Sequence, residues 1–214
     1  MSWANLKGFN FRATLGFVTD GANERFVNES FGAYPQSKTI DGDTFDCGWE
    51  TAPAGGNSRD RNAGVDARLA GIVFTNTAAG VDPIFRIDLP SAGDYGIRLA
   101  MGDATGTNNQ KCEIRDTTTA LITLGESATS AEQFYDASLA LRSSAANWVS
   151  FQVEVTKTFT TTIFRLVLQR PAANAATLAH FAIKQISGGG GSVDKGTVLR
   201  RSYRPRPFAP GIAR

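Results

Sequence analysis

Few residues of this chain are equipped for chemistry. His180 is the single histidine among 214 residues, so a Ser-His-Asp relay would have to be built around that one imidazole. It alternates with Phe181 and Ile183 on a late apolar stretch, which reads as a partly exposed strand histidine on the face opposite those side chains. Cys47 and Cys112 form no short ligand spacing with each other or with His180, and zinc sites need one. The two cysteines could be buried free thiols or one disulfide; two distant cysteines are not the density of a stapled secreted domain, which favours free thiols. There is no phosphate-binding glycine loop followed by Lys-Ser/Thr and no dinucleotide fingerprint, so nucleotide chemistry has no foothold. The sequence does not predict an enzyme.

Carboxylates are more plentiful. Asp41, Asp43, Asp46, Asp60 and Asp103 all fall in stretches that read as loops, where most carboxylates only solvate the chain. A glycosidase-type pair would draw on the same residues. "DGDTFD" sets Asp41, Asp43 and Asp46 close together around a glycine, an oxygen-rich group that suits calcium, although it lacks the spacing and terminal Glu of an EF-hand. The competing reading is an acidic turn. Trp49 in "CGWE" and Arg59, Asp60 and Arg61 in "RDR" offer an aromatic face beside fixed polar groups, which is what a sugar ring needs. Against that stands bracing: Asp60 tying two arginines together, with Trp49 packed beneath.

The elements that would hold these residues are strands. In "NWVSFQVEVTK" Val149, Phe151, Val153 and Val155 point one way and Ser150, Gln152, Glu154 and Thr156 the other, as a strand with one buried face requires. The same period of two runs through "PIFRIDLP", "GDYGIRLAMG", "QKCEIRD", "ALITLG", "TIFRLVLQR" and "LAHFAIKQI". Turn residues at 90–93, 102–109, 125–130 and 171–174 separate them, and Pro90 to Tyr95 reads as a hairpin. The class is therefore all-β, an antiparallel sandwich of jelly-roll type. "SATSAEQFYDASLALRSSA" fits a short helix or a strand and loop about equally. Residues 41–68 read as one long polar loop, the kind of segment that tends to carry function.

Composition sets the outer bounds. With 42% hydrophobic and 20% charged residues the chain can bury a core. The amino terminus has no basic region leading into an apolar run, so no secretion signal is expected. No stretch approaches 18 apolar residues, so no membrane span is expected. The overall charge of +2 is unevenly spread: residues 1–187 carry 16 Lys and Arg against 19 Asp and Glu, whereas 188–214 carry 6 against 1. This divides the chain into a jelly-roll domain over 1–187 and a flexible, basic, Gly/Pro-rich arm over 188–214.

Taken in order, "FNFRATLGFV", "CGWE", "RDR", "FRIDLPSAGDYGIRLAMGD" and "FAIKQI" resemble the jelly-roll modules of the galactose-binding and malectin-like type, as found before pectin-acting esterases and lyases. Phe9, Phe11, Gly48, Trp49, Arg59, Asp60, Pro90, Gly93, Tyr95, Gly102 and Asp103 occupy the matching places. The resemblance covers roughly residues 9–187. It implies a carbohydrate-binding sandwich, with Trp49, Arg59, Asp60 and Arg61 as the candidate glycan contacts. Such modules sit beside catalytic domains in exported proteins, and this sequence shows neither partner domain nor export signal.

The arm suggests another setting. A tail that is glycine-flexible, then basic, then proline-stiffened cannot fold alone but can drape over neighbouring subunits. Arg200, Arg201, Tyr203, Arg204, Arg206 and Phe208 are its candidate anchors. It lacks the interleaved aromatics of a stacking platform, which argues against nucleic acid as its partner. The expectation is a non-catalytic bacteriophage virion protein, assembled in the host cytoplasm and released by lysis. It would decorate a capsid or form part of a tail or fibre, contacting copies of itself, other virion proteins and a cell-surface glycan. The alternative is a stand-alone carbohydrate-binding module or lectin.

Overall fold

Period-two alternation builds two six-stranded sheets that face each other across one core. A computed structural model describes residues 3, 5–11, 17–20, 24–28, 32–53, 58–60, 69, 71–75, 81–103, 108–129, 133–135, 141–143, 153–169 and 176–188. In chain order the strands are β1 (Leu6–Asn10), β2 (Phe17–Asp20), β3 (Glu24–Asn28), β4 (Gln36–Ile40), β5 (Asp43–Thr51) and β6 (Ser58–Asp60). Next come β7 (Gly71–Phe74), β8 (Ile84–Asp88), β9 (Gly93–Ala100), β10 (Asn108–Asp116), β11 (Thr119–Thr129) and β12 (Gln133–Tyr135). The last are β13 (Leu141–Ser143), β14 (Val153–Phe159), β15 (Ile163–Leu168), β16 (Thr177–Leu178) and β17 (His180–Gly188). The first sheet has the order β14-β9-β17-β1-β3-β2 and the second β11-β10-β15-β8-β5-β4. All these pairings are antiparallel except β1 with β3. The result is the expected all-β sandwich of jelly-roll type.

The core is aromatic. Phe9, Phe11, Phe85, Phe164 and Phe181 are fully buried, with centroid separations such as 4.9 Å for Phe9–Phe181 and 5.3 Å for Phe9–Phe85. Rings from both sheets meet edge-to-face or offset, the arrangements their quadrupoles favour. Alternation appears where the sequence places it: Phe85, Ile87 and Leu89 point inward, as do Tyr95, Ile97, Leu99 and Met101.

Three expectations change, and one open reading closes. Pro90 to Tyr95 is no hairpin, because β8 and β9 lie in different sheets and β9 pairs with β14 and β17; the segment is an arch across the sandwich. The long loop at 41–68 contains strands β5 and β6. The stretch at 127–145, open between a short helix and a strand and loop, contains the antiparallel pair β12 and β13 among its described residues. Of the turn read at 125–130, residues 125–129 continue β11, with a bulge at Gly125, whose φ of 81° suits glycine. Strand β17 ends at Gly188, and residues 189–214, including every candidate anchor of the arm, lie outside the described residues.

His180 does lie opposite Phe181 and Ile183, but it is fully buried rather than partly exposed. Its ladder partner Ala100 packs in a small cluster with Leu69, Ile72 and Ala179, so this end of the sheet's outer face is covered. Cys47 and Cys112 are buried free thiols, as expected.

Candidate functional site

The β4–β5 connection is a two-residue turn, Asp41-Gly42, with φ values of 52° and 81°. Asp-Gly is among the pairs that adopt this left-handed turn readily, because Gly carries no Cβ penalty and Asp tolerates the αL region. The turn and the β8–β9 arch border a cleft of about 470 Å³, whose lining includes Trp3, Asp43, Phe45, Asp46, Asp88 and Pro90.

Trp3 and Phe45 are core residues, 3% and 8% exposed, and meet the cleft only as its floor. Trp3 places its ring 4.8 Å from Phe45 and 6.3 Å edge-on to Tyr95. Its backbone N–H donates to Gln185 Oε1 at 3.1 Å, and Gln185 Nε2 in turn donates to Ser91 Oγ at 2.8 Å. Ser91 also accepts at its carbonyl from the Tyr95 hydroxyl, at 2.7 Å. The amino-terminal segment is thereby tied to the arch that frames the cleft.

The carboxylates are held by cations behind them. Lys7 points inward from β1, is fully buried, and places Nζ 2.6 Å from Asp43 Oδ2 and 2.9 Å from the Ile40 carbonyl. Asp88 accepts from Arg86 Nε at 2.8 Å and from the Tyr34 hydroxyl at 3.0 Å. The Arg86 guanidinium lies 4.3 Å from the Tyr34 ring centroid, a cation–π contact. Burial, reinforced by the hydrogen bond to Asp88, holds the Tyr34 hydroxyl above its ordinary pKa. Tyr34 comes this close because Gly48 lets the chain cross: Trp49 N–H donates to the Gly32 carbonyl at 2.7 Å, and Tyr34 N–H to the Trp49 carbonyl at 3.0 Å.

From Arg86 the network continues over the outer face of the second sheet. Arg86 Nη1 reaches Glu50 Oε1 at 3.2 Å, and Glu50 also accepts a bidentate pair from Arg165 at 2.6 and 2.8 Å. The bonds from Arg165 lead the effects that hold the Glu50 carboxyl below its ordinary value, outweighing its partial burial. One strand further on, Arg115 pairs with Glu113 at 2.6 Å.

The residues predicted from sequence fare differently. Trp49 is 2% exposed and packs against Phe85 and Phe11, at 5.0 and 5.5 Å. It lies on the inward face of β5 with Phe45 and Cys47, so it is core and offers no face to a sugar. Arg59 lies on β6 and stacks on Phe74 at 4.9 Å; the structure does not bring it to Trp49. The Asp60 side chain and Arg61 lie outside the described residues. The acidic group read as suited to calcium is not assembled as one: among the described residues no three acidic, His or Cys groups converge. Asp43 and Asp46 are three apart on a strand, so they face opposite sides, and Asp43 already pairs with Lys7. Asp103 is buried rather than solvating a loop.

The residues that sequence reasoning missed are Lys7, Tyr34, Glu50, Arg86, Asp88, Glu113, Arg115 and Arg165. For Arg86, Asp88, Glu113, Arg115 and Arg165 the signal was present: "FRID", "EIRD" and "IFRLVL" put charged residues on the outward positions of alternating strands, where cross-strand charge pairs form.

No family model matches the chain, and no curated protein matches it. Among solved structures, the YxiM protein of Bacillus subtilis matches with 16% identity and a TM-score of 0.45 over 86% of this chain and 40% of its own. A Bacteroides uniformis β-glucuronidase matches with 12% identity and a TM-score of 0.45, over 85% of this chain and 18% of its own. A family 35 carbohydrate-binding module from an environmental isolate matches with 13% identity and a TM-score of 0.38, over 84% and 93%. The chain thus spans well under half of the first two. Likenesses of this depth assign neither a site nor a ligand to it.

Proposed function

We propose that this chain is a non-catalytic glycan-binding module whose site is the cleft between the Asp41-Gly42 turn and the β8–β9 arch. The observation that supports this most is the set of fixed carboxylate acceptors that line it. Asp43 and Asp88 are immobilised by Lys7, Arg86 and Tyr34, beside Trp3 and Phe45. Sugars present hydroxyl donors on their edges, and fixed carboxylates accept from them. Carboxylates locked to cations are poor proton shuttles, which favours binding over turnover.

Titration calorimetry with neutral mono- and disaccharides tests this. Asp46→Asn removes a charged acceptor on the cleft wall and should weaken binding by roughly ten- to a hundredfold, the worth of a charge-assisted hydrogen bond. Absence of heat across the panel would remove the reading.

A second reading rests on the charge asymmetry of the sequence, a net negative body and a strongly basic tail. In it the sandwich is displayed on a bacteriophage particle, and Arg200, Arg201, Tyr203, Arg204, Arg206 and Phe208 anchor it to copies of itself and other virion proteins. Truncation after Gly188 should then leave a folded domain that no longer joins particles. Undiminished incorporation would count against the arm as anchor.

A further inference from the structure

We infer that the cleft is one end of a longer site, and that the ligand is a neutral oligosaccharide chain that runs from it across the outer face of the second sheet. This rests on the glycan-binding reading above and extends it to the chemistry and length of the ligand.

The register carries the argument. Arg115 lies opposite Arg165, and Arg165 opposite Arg86, on three adjacent strands. Partners in register share a face, so the three guanidiniums form a row across β10, β15 and β8. Asp88 sits two residues beyond Arg86 on that face and also lines the cleft, so row and cleft are continuous. With strands about 4.8 Å apart, Arg115 stands roughly 10 Å beyond Arg86.

Like charges in register repel unless balanced, and here the balance is complete. Three arginines face three carboxylates: Glu113, Glu50 and Asp88. Each arginine spends Nε and one terminal nitrogen on them. Arg115 Nη1, Arg165 Nη1 and Arg86 Nη2 make no bond among the described residues. The row therefore alternates spare N–H donors with carboxylate acceptors at zero net charge, Asp46 and Lys111 adding one charge of each sign to the same face, and its arginine side chains keep 18–26% of their surface exposed. A polyanion gains nothing from a neutral surface and meets three carboxylates. A chain of hydroxyls, each both donor and acceptor, matches it at every step.

The experiment is calorimetry on the full chain with gluco-, manno-, xylo- and galacto-oligosaccharides of one to eight residues, and with oligogalacturonate as the charged comparison. Affinity should rise with chain length and then level off, with oligogalacturonate weaker than galacto-oligosaccharide of equal length. Arg115→Gln, at the far end, should cost about three- to tenfold on the longest ligand, the worth of a hydrogen bond, and nothing on the shortest. Arg98→Gln breaks a comparable cross-strand pair, with Glu154, on the other sheet and should leave all affinities unchanged. Equal affinity at every length, insensitivity to Arg115→Gln in a variant of unchanged melting temperature, or preference for oligogalacturonate would overturn the extended site and leave the cleft standing. No binding by any probe would overturn both.

Discussion

Lys7 Nζ crosses from one sheet to the other to meet Asp43 Oδ2 at 2.6 Å, the lysine fully buried and the aspartate side chain 28% exposed. An ammonium shut inside an aromatic core is tolerated only with its counter-charge and acceptors in place, here Asp43 and the Ile40 carbonyl. The two partners are therefore not equivalent. Asp43→Asn strands a buried charge and should cost roughly 2–4 kcal/mol, near or below the usual cost of breaking a buried pair because Asp43 is partly solvated. Lys7→Met fills similar space with an apolar chain and leaves Asp43 to water, so it should cost less. Urea unfolding of both variants gives the order, and a costlier Lys7→Met would contradict this account.

Gly48 has a φ of 140°, and a Cβ there would stand 2.8–2.9 Å from the backbone of Ala33 and Tyr34. Neither the dihedral nor the crossing strand can yield cheaply. Gly48→Ala should destabilise by roughly 2–4 kcal/mol, strain and overpacking together. It should also push Tyr34 away from Asp88 and loosen the cleft. Gly42→Ala is the control: its φ is also positive, but nothing lies within 4 Å of the added methyl. Melting curves should rank Gly48→Ala well below Gly42→Ala.

Trp49→Ala should behave as a core deletion, costing about 3–5 kcal/mol, with any loss of ligand following from loss of fold. Trp49→Phe keeps a ring against Phe11 and Phe85 and should leave glycan affinity unchanged while lowering stability modestly. A folded Trp49→Phe variant that has lost binding would show that the indole acts at the site after all.

Why Trp49 misled is instructive about which parts of this fold were readable. Strand positions were legible because alternation is local: Phe85 and Ile87, or Tyr95, Ile97 and Leu99, declare their face within five residues. In β5 the inward set is Phe45, Cys47 and Trp49, and the outward set Thr44, Asp46, Gly48 and Glu50. The period of two is present there, but with no aliphatic residue to mark it the segment reads as polar loop. Pairing was not legible. Pro90 to Gly93 has the same composition whether it closes a hairpin or arches between sheets, and only the distant ladders of β9 with β14 and β17 decide. The cleft depends on that arch, so the site was hidden for the same reason.

Cys112 is fully buried, and desolvation pushes its thiol far above the ordinary value, with a smaller push from the neighbouring Glu113. Nucleophilic thiol chemistry needs thiolate, so Cys112 should resist a soluble alkylating reagent at pH 8. Cys47, also buried, should be shielded by access alone. Thiol titration should give two equivalents in denaturant and close to none in buffer. Rapid labelling of the native protein would mean that the second sheet opens locally.

Acid should act on the second sheet through two carboxylates. Burial raises the Asp116 pKa, but hydrogen bonds from the Thr160 hydroxyl and backbone N–H and from the Thr161 hydroxyl outweigh it and hold it below 3.8. Glu50 is held below 4.5, chiefly by Arg165. A group whose pKa is depressed in the folded state adds stability above its unfolded pKa and loses it as pH falls through the folded one. Stability should therefore be flat with respect to these two groups from neutral pH down to about pH 5 and decline below it, because the unfolded chain takes up the protons first. Asp116→Asn keeps an acceptor oxygen but cannot ionise, and Glu50→Gln likewise loses its charge. The double variant should start less stable at pH 7 and show a shallower acid decline than the parent. Parallel slopes between pH 5 and 2 would place the acid sensitivity elsewhere.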